Sequence, residues 1–424
     1  MNLIKKNLRE FQEKGPRIFL KKISTFFFYI LLSINLLLFI PILIVIYFLG
    51  IFFILRFGPS PSTRIGHFAG NFEVYLCELS KGINKPNKPF IDIFFNYEVC
   101  NKQLLKMWKK KIIFLPRLLV EPLFKLNKLS IFFSPYFKIH NINMNSLDRD
   151  IHNLYDETKP NLNFSIDEEK IGQKYLSQFG LNESSKFVTL TVRDENYFRE
   201  ILKISDWDRD DFRNQDINNY SLALEELTKR GYFVFRVGKH AKKFNINNSK
   251  IVDYANSNDK SDLLDIYLAA KCDFCISGQT GYDGLARVFR KPIVSIMGEP
   301  GYFQTFCENQ LLLCKHHINI ETKKKLNLSE TLNKVAFVSR TKELLDQNIE
   351  SVDNSPEEIR DVIIEMVDRI ENKWKVHNNE KDLQKKFWKI FEDIIINNNK
   401  YRLHGRIKSK FSHSFLNNNQ DWIQ

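Results

Sequence analysis

An apolar run ends at Ser277-Gly278-Gln279-Thr280-Gly281, and an amphipathic stretch opens near Tyr282 with another glycine at Gly284. Bare backbone between a strand and a helix suits a diphosphate. The free N–H groups and partial positive charge of a helix start attract it, and a residue without Cβ lets the backbone approach. A plain tight turn explains the same residues equally well. Arg193 and Asp194 follow the β-branched run 186–192, and Arg236 and Lys239 follow the run 232–237. Asp262 and Asp265 lie on a helical stretch feeding the glycine loop, and Asp283 begins the next one. Cations at such an edge neutralise a nucleotide diphosphate, and carboxylates hold ribose or sugar hydroxyls. Together with Ser277, Gly278, Gln279, Thr280 and Gly281 these residues form a candidate donor-binding set. Asp206-Trp207-Asp208 has the spacing of a divalent-metal pair. It lies in an acidic loop ahead of a helix and reads as solvated, so no metal is expected.

These residues need elements to hold them. "KFVTLTV" (186–192), "YFVFRV" (232–237), "KIVDY" (250–254), "DFCIS" (273–277) and "PIVSI" read as strands. Helical patterns at 216–231, 261–271 and 282–289 separate them. Short strands alternating with helices predict an α/β fold with a parallel, doubly wound sheet, whose ligands bind beyond the carboxyl ends of the strands. Upstream, "IFFILRFG" (51–58), "FIDIFF", "KIIFLP" and "LSIFF" are short apolar runs among basic stretches, and 356–397 is helical.

Composition narrows the classes. The net charge of +13 is concentrated before residue 25 and between Lys102 and Lys138, where lysines alternate with Phe, Leu, Ile and Trp. That interleaving fits an anionic membrane surface and not a nucleic acid, for which no recognition motif is present. The six cysteines, Cys272 and Cys275 among them, lack zinc or disulfide spacing and read as buried thiols in a reducing compartment. No residue from Phe26 to Leu55 is charged, and about 20 apolar residues cross a bilayer. The basic residues preceding the segment favour a crossing that puts the soluble part outside. Pro41 permits a re-entrant or interfacial anchor instead, which keeps the catalytic part in the cytoplasm at a bacterial inner membrane.

"PSTRIGHFAGNFEVYL", "TVRDENYF", "DFRNQDINNYSLALEELTKRGYFVFRVGK", "YANSNDKSDLLDIYLAAKCDFCISGQTG" and "FLNNN" together resemble bacterial glycosyltransferases of the GT-B type found with surface-polysaccharide genes. The resemblance runs from about residue 51 to the C-terminus. The loop 277–292 is also similar to that of the lipopolysaccharide heptosyltransferases, with Gln279-Thr280 replacing their Asp-Ser pair. The resemblance implies two Rossmann-like parallel-sheet domains facing a cleft. The expected division is a basic N-terminus (1–22), an anchor (23–50), an acceptor domain (51–165), a nucleotide-sugar domain (166–355) and terminal helices crossing back to the first domain (356–424). It implies a nucleotide-sugar donor, a lipid-linked or glycan acceptor, no cofactor, no metal and transfer with inversion. Gly66-His67 stands where heptosyltransferases carry Gly-Asp, so His67 is the candidate base, with Glu73 as its substitute. A polysaccharide pyruvyltransferase on the same fold and a non-catalytic membrane scaffold are the alternative functions.

Overall fold

The structure, a computed structural model, describes residues 24, 38–144, 146–196, 211–239, 241–244, 246–397 and 403–424. In chain order the first elements are helix α1 (38–49), β1 (Ile54–Pro59), α2 (Ile65–Ser80), β2 (Phe90–Phe95), α3 (Lys102–Trp108), β3 (Ile113–Phe114) and α4 (Arg117–Ser130). The chain then separates into two compact units that do not follow the expected boundary at 165. The smaller takes the residues up to Pro61, Asn84–Glu98 and Lys109–Asn143, and the larger takes everything else.

The smaller unit is a parallel three-stranded sheet in the order β1-β2-β3. Arg56 of β1 lies opposite Asp92 of β2 and pairs with it at 2.5 Å. Leu43 and Ile46 of α1 pack with Phe57, Phe95, Val120, Leu123 and Leu126. In "LSIFF", Ser130 closes α4, and the residues after it form a hydrogen-bonded turn. Among the described residues no helix is long and apolar enough to cross a membrane, and 25–37 of the expected anchor lie outside them.

The larger unit continues with α5 (Ile166–Ser177), β4 (Phe187–Val192), α6 (Ser221–Lys229), β5 (Phe233–Arg236), β6 (Ile251–Val252), α7 (Asp262–Lys271), β7 (Phe274–Gly278), α8 (Asp283–Val288), β8 (Ile293–Met297) and β9 (Gln310–Cys314). After these come β10 (His316–Asn319), α9 (Leu328–Lys334), α10 (Thr341–Leu345), β11 (Ile349–Val352), α11 (Pro356–Ile370), α12 (Glu380–Phe391), β12 (Lys410–Phe411) and α13 (His413–Asn418). Seven strands form one sheet in the order β12-β9-β8-β7-β4-β5-β6, and every pair in it is parallel. Side chains alternate across it, as strand geometry requires. Val188, Leu190 and Val192 join the core formed with α6 and α11, while Phe187 meets Phe235, which meets the ring of Phe179 just past α5. The sheet is therefore doubly wound, as the strand and helix spacing predicts.

The C-terminal helices pack into the larger unit, and the tail that follows them meets Asn153 and Asp156 through Arg406 and Lys408. Ser355 and Glu358 form a capping box around Pro356, a strong start for α11. Its apolar face then buries Ile359, Val362, Ile363, Met366 and Val367 in the core of the larger unit. β12 pairs with β9 of the same sheet.

Candidate functional site at the carboxyl edge of the large sheet

Strand order reverses between β4 and β7: the chain runs outward from β4 through β5 and β6, then returns to β7 and proceeds through β8 and β9. At such a switch point the loops leave in opposite directions and open a crevice. Thr191 and Val192 of β4 lie opposite Ser277 and Gly278 of β7, so the Arg193 and glycine-loop segments leave the sheet side by side. The Oγ1 atoms of Thr191 and Thr280 are 2.9 Å apart.

The glycines let backbone approach backbone closely. A Cβ on Gly278 would meet Gln215 Oε1 at 2.8 Å, and a Cβ on Gly284 would meet Gly66 Cα at 2.9 Å. A Cβ on Gly66 would meet the carbonyl oxygen of Gly281 at 2.8 Å. The bare residues let two backbones touch, so the start of α2 sits directly on the loop 281–284. Gly66→Ala is expected to lower stability by about 1–3 kcal/mol, because the added methyl meets backbone that must shift. Urea denaturation measures it. An unchanged midpoint would show that the contact is not tight. The left-handed residue of the loop is Gln279, at φ 58°. Its buried side chain accepts from the Gly298 N–H at 3.0 Å and donates to Glu299. Backbone strain of this kind persists where neighbours over-determine it.

His67 follows Gly66 in the first turn of α2 and is half-buried. The fold thus carries it to the glycine loop, from a position far upstream in the sequence. Glu73 is different. It is fully buried, pairs with Arg290 at 2.8 Å and accepts from the Asn161 N–H at 3.2 Å. Burial pushes its carboxyl above the ordinary range, and the Arg290 charge pulls against that. Arg290 also stacks over Tyr155 at 4.2 Å. A carboxylate with no exposed surface cannot meet an acceptor hydroxyl, so Glu73 is a structural anchor and not a base.

The other candidates divide in the same way. Arg236 is 1 % exposed, bonded to Asp253 at 3.1 Å and the Lys242 carbonyl at 2.6 Å, with Asp194 at 3.5 Å. It is a buried tie between loops, not a cation reaching for phosphate, and Asp194 serves the same tie by accepting from the Lys242 N–H. Asp262 accepts from the Lys102 N–H at 2.6 Å and so caps α3. Burial pushes Asp265 up to about 6, with Lys260 pulling it down. Ser277 donates to Asp283, whose carboxyl is raised by burial and lowered by Arg287. Thr280 accepts from the Tyr282 N–H, Gly281 and Lys239 are exposed, and Arg193 is half-buried. Among the described residues no group of His, Cys, Asp and Glu could hold a metal. Asp206 and Asp208 lie outside those residues.

No protein-family model matches the chain, and no curated protein matches it either. Solved structures do. The ADP-heptose lipopolysaccharide heptosyltransferase II of E. coli is 14 % identical, with 61 % of this chain and 90 % of that one covered at a TM-score of 0.39. A glycosyl transferase family 9 protein of Veillonella parvula is 10 % identical over 76 % and 98 %, at 0.43. An E. coli heptosyltransferase solved with ADP-2-deoxy-2-fluoro heptose is 9 % identical over 61 % and 92 %, at 0.31. All three are glycosyltransferases. Similarity at this level assigns no residue a role.

The same edge carries residues that the sequence reading missed. Glu299, just past β8, is buried and holds Gln279 and Arg213, the latter at 2.9 Å. Lys315, just past β9, is 3 % exposed and donates to the carbonyls of Phe212 and Asn214 while pairing with Asp353 at 2.7 Å. Burial lowers its affinity for the proton, and Asp353 restores part of it. Gln215 donates to the Ile296 carbonyl at 3.0 Å. The loops after β7, β8 and β9 and the segment 211–216 are thereby tied into one frame. The signal that could have found them is positional: a polar residue directly after an apolar strand, "SIMGE" or "LLLCK". All six cysteines are free; Cys77, Cys272, Cys275 and Cys314 are buried as expected, whereas Cys100 and Cys307 are half-buried, and burial pushes the Cys272 thiol up to about 11.

Proposed function

We propose that the chain transfers a sugar from a nucleotide-sugar to a glycan or lipid-linked acceptor at a bacterial membrane. The observation that supports it is positional: a loop of exposed backbone at the switch point of a parallel sheet, with a half-buried histidine beside it. Two described cations, Lys239 and Arg193, belong to the same edge. In this reading the amides of Thr280 to Tyr282 meet the donor diphosphate. His67 takes the proton of the acceptor hydroxyl, whose oxygen forms a bond to the anomeric carbon from the face opposite the diphosphate. The bond from that carbon to the diphosphate oxygen breaks with inversion, and the leaving charge is met by Lys239, Arg193 and the loop amides. No metal takes part, since the only expected metal pair reads as a solvated loop.

The catalytic unit belongs in this reading to the cytoplasmic face, where nucleotide-sugars are made, on a re-entrant or interfacial anchor. Calorimetry with UDP-, GDP-, ADP- and CMP-sugars tests the reading. One of them should bind with EDTA present, and Thr280→Val should weaken it by removing a hydroxyl of the loop. Absence of binding by all four would favour a pyruvyltransferase or a scaffold, and binding only with Mn²⁺ restored would expose a metal site.

A further inference from the structure

We infer that the smaller unit inserts a built apolar face into an anionic bilayer, led by Phe132 and Phe133. The inference rests on the reading that the protein works at a membrane, and it names the surface that does so. Phe132 and Phe133 are 86 % and 89 % exposed, side by side. Their backbone is fixed and not frayed: Phe132 N–H donates to the Leu129 carbonyl at 3.1 Å and Phe133 N–H to the Ser130 carbonyl at 3.0 Å. Ser134 then caps the following turn at Tyr136. Holding two aromatic rings in water in this way has no structural benefit, since each would gain about 1.5–3 kcal/mol on burial.

A second, independent surface lies on the same unit. Leu38, Ile44, Val45 and Phe48 of α1 are 56 to 68 % exposed, and Phe52 just beyond is 72 % exposed. The inner side of α1 faces the core through Leu43 and Ile46, so this helix is apolar all round. Such a helix is stable only with apolar surroundings on its outer side too. Tyr47 joins the two surfaces, stacking on Phe137 at 4.2 Å and donating to Asn127 of α4 at 2.8 Å.

Charge identifies the occupant. Between Lys109 and Asn143 the only acidic residue is Glu121, which is buried against Arg117 and Lys125. Lys109, Lys111, Lys128 and Lys138 of the same unit are exposed. An apolar surface on a segment whose exposed charges are all cations matches hydrocarbon beneath anionic headgroups. The uncharged run 26–37 leads directly into α1, which continues the same chemistry along the chain.

The test uses the full chain carrying Phe132→Trp, mixed with phosphatidylcholine and phosphatidylglycerol vesicles whose acyl chains are brominated. Val376→Trp, at a 76 % exposed site of the larger unit, is the control. Because the parent chain has five tryptophans of its own, the added emission is read as the difference from the parent under the same conditions. The emission added at 132 should shift to the blue and be quenched by the brominated chains, whereas that added at 376 should not change. Phe132→Ser with Phe133→Ser should weaken vesicle binding by about a hundredfold or more, the fold-change for losing two buried rings. Chain that floats with vesicles while position 132 stays unquenched overturns this surface and leaves the membrane reading standing. A blue shift that depends on protein concentration without lipid assigns the face to a second copy and also overturns it. Failure of the chain to float at all defeats the wider reading.

Discussion

Replacing His67 by alanine is expected to lower kcat by about 10²–10⁴-fold and leave donor affinity within a few-fold. The imidazole lies in the first turn of α2 and, among the described residues, has no hydrogen-bond partner whose loss would disturb the fold. Single-turnover assays with saturating donor separate chemistry from binding, and the thermal midpoint should stay near that of the parent. A variant that retains more than a tenth of the parent turnover removes His67 from the chemistry. A variant with a normal midpoint and no donor binding would instead make it a binding residue.

Glu73→Ala gives the opposite pattern. It leaves the Arg290 guanidinium beside Tyr155 and Thr158 without the carboxylate that meets it at 2.8 Å. Breaking a buried pair from one side costs about 3–5 kcal/mol, because the remaining charge stays desolvated. The urea midpoint should therefore fall steeply, and any activity lost should return in proportion to the folded fraction at low temperature. Arg290→Met together with Glu73→Leu should recover much of the stability, since an apolar pair of similar size carries no uncompensated charge. A Glu73→Ala protein that is fully folded yet inactive would restore Glu73 to the catalytic candidates.

The two variants mark how far the sequence could be read. β4, β5, β7 and β8 stand out as β-branched or aromatic runs ending in polar residues, so the sheet and its carboxyl edge are legible locally. β9 was missed: "QLLLC" is a buried strand without alternation, and such a run cannot be told from a helical segment by period alone. The assignment of 62–83 to the larger unit was not legible either. It depends on Gly66 meeting Gly281 and on Trp108 Nε1 donating to the Phe68 carbonyl, contacts between segments that carry no mark of each other. Arg236 shows the same limit at the site. An arginine after a strand looks like an anion ligand until Asp194 and Asp253 are seen closing around it.

The contact between Gly66 and the loop 281–284 has a mechanical consequence. The loop is fastened on one side to α2 by touching backbones and on the other to Gly298 and Glu299 through Gln279. It has no hinge left with which to swing aside. Any displacement that opened it would drag Gly66 and the neighbouring His67 along, so the proposed base and the loop would keep one spacing. Ordering costs that a mobile loop would incur on each binding event are absent here. In the proposed reaction the timing of donor entry and product escape would then be set by other parts of the rim, and slowing them should alter turnover without changing the chemical step.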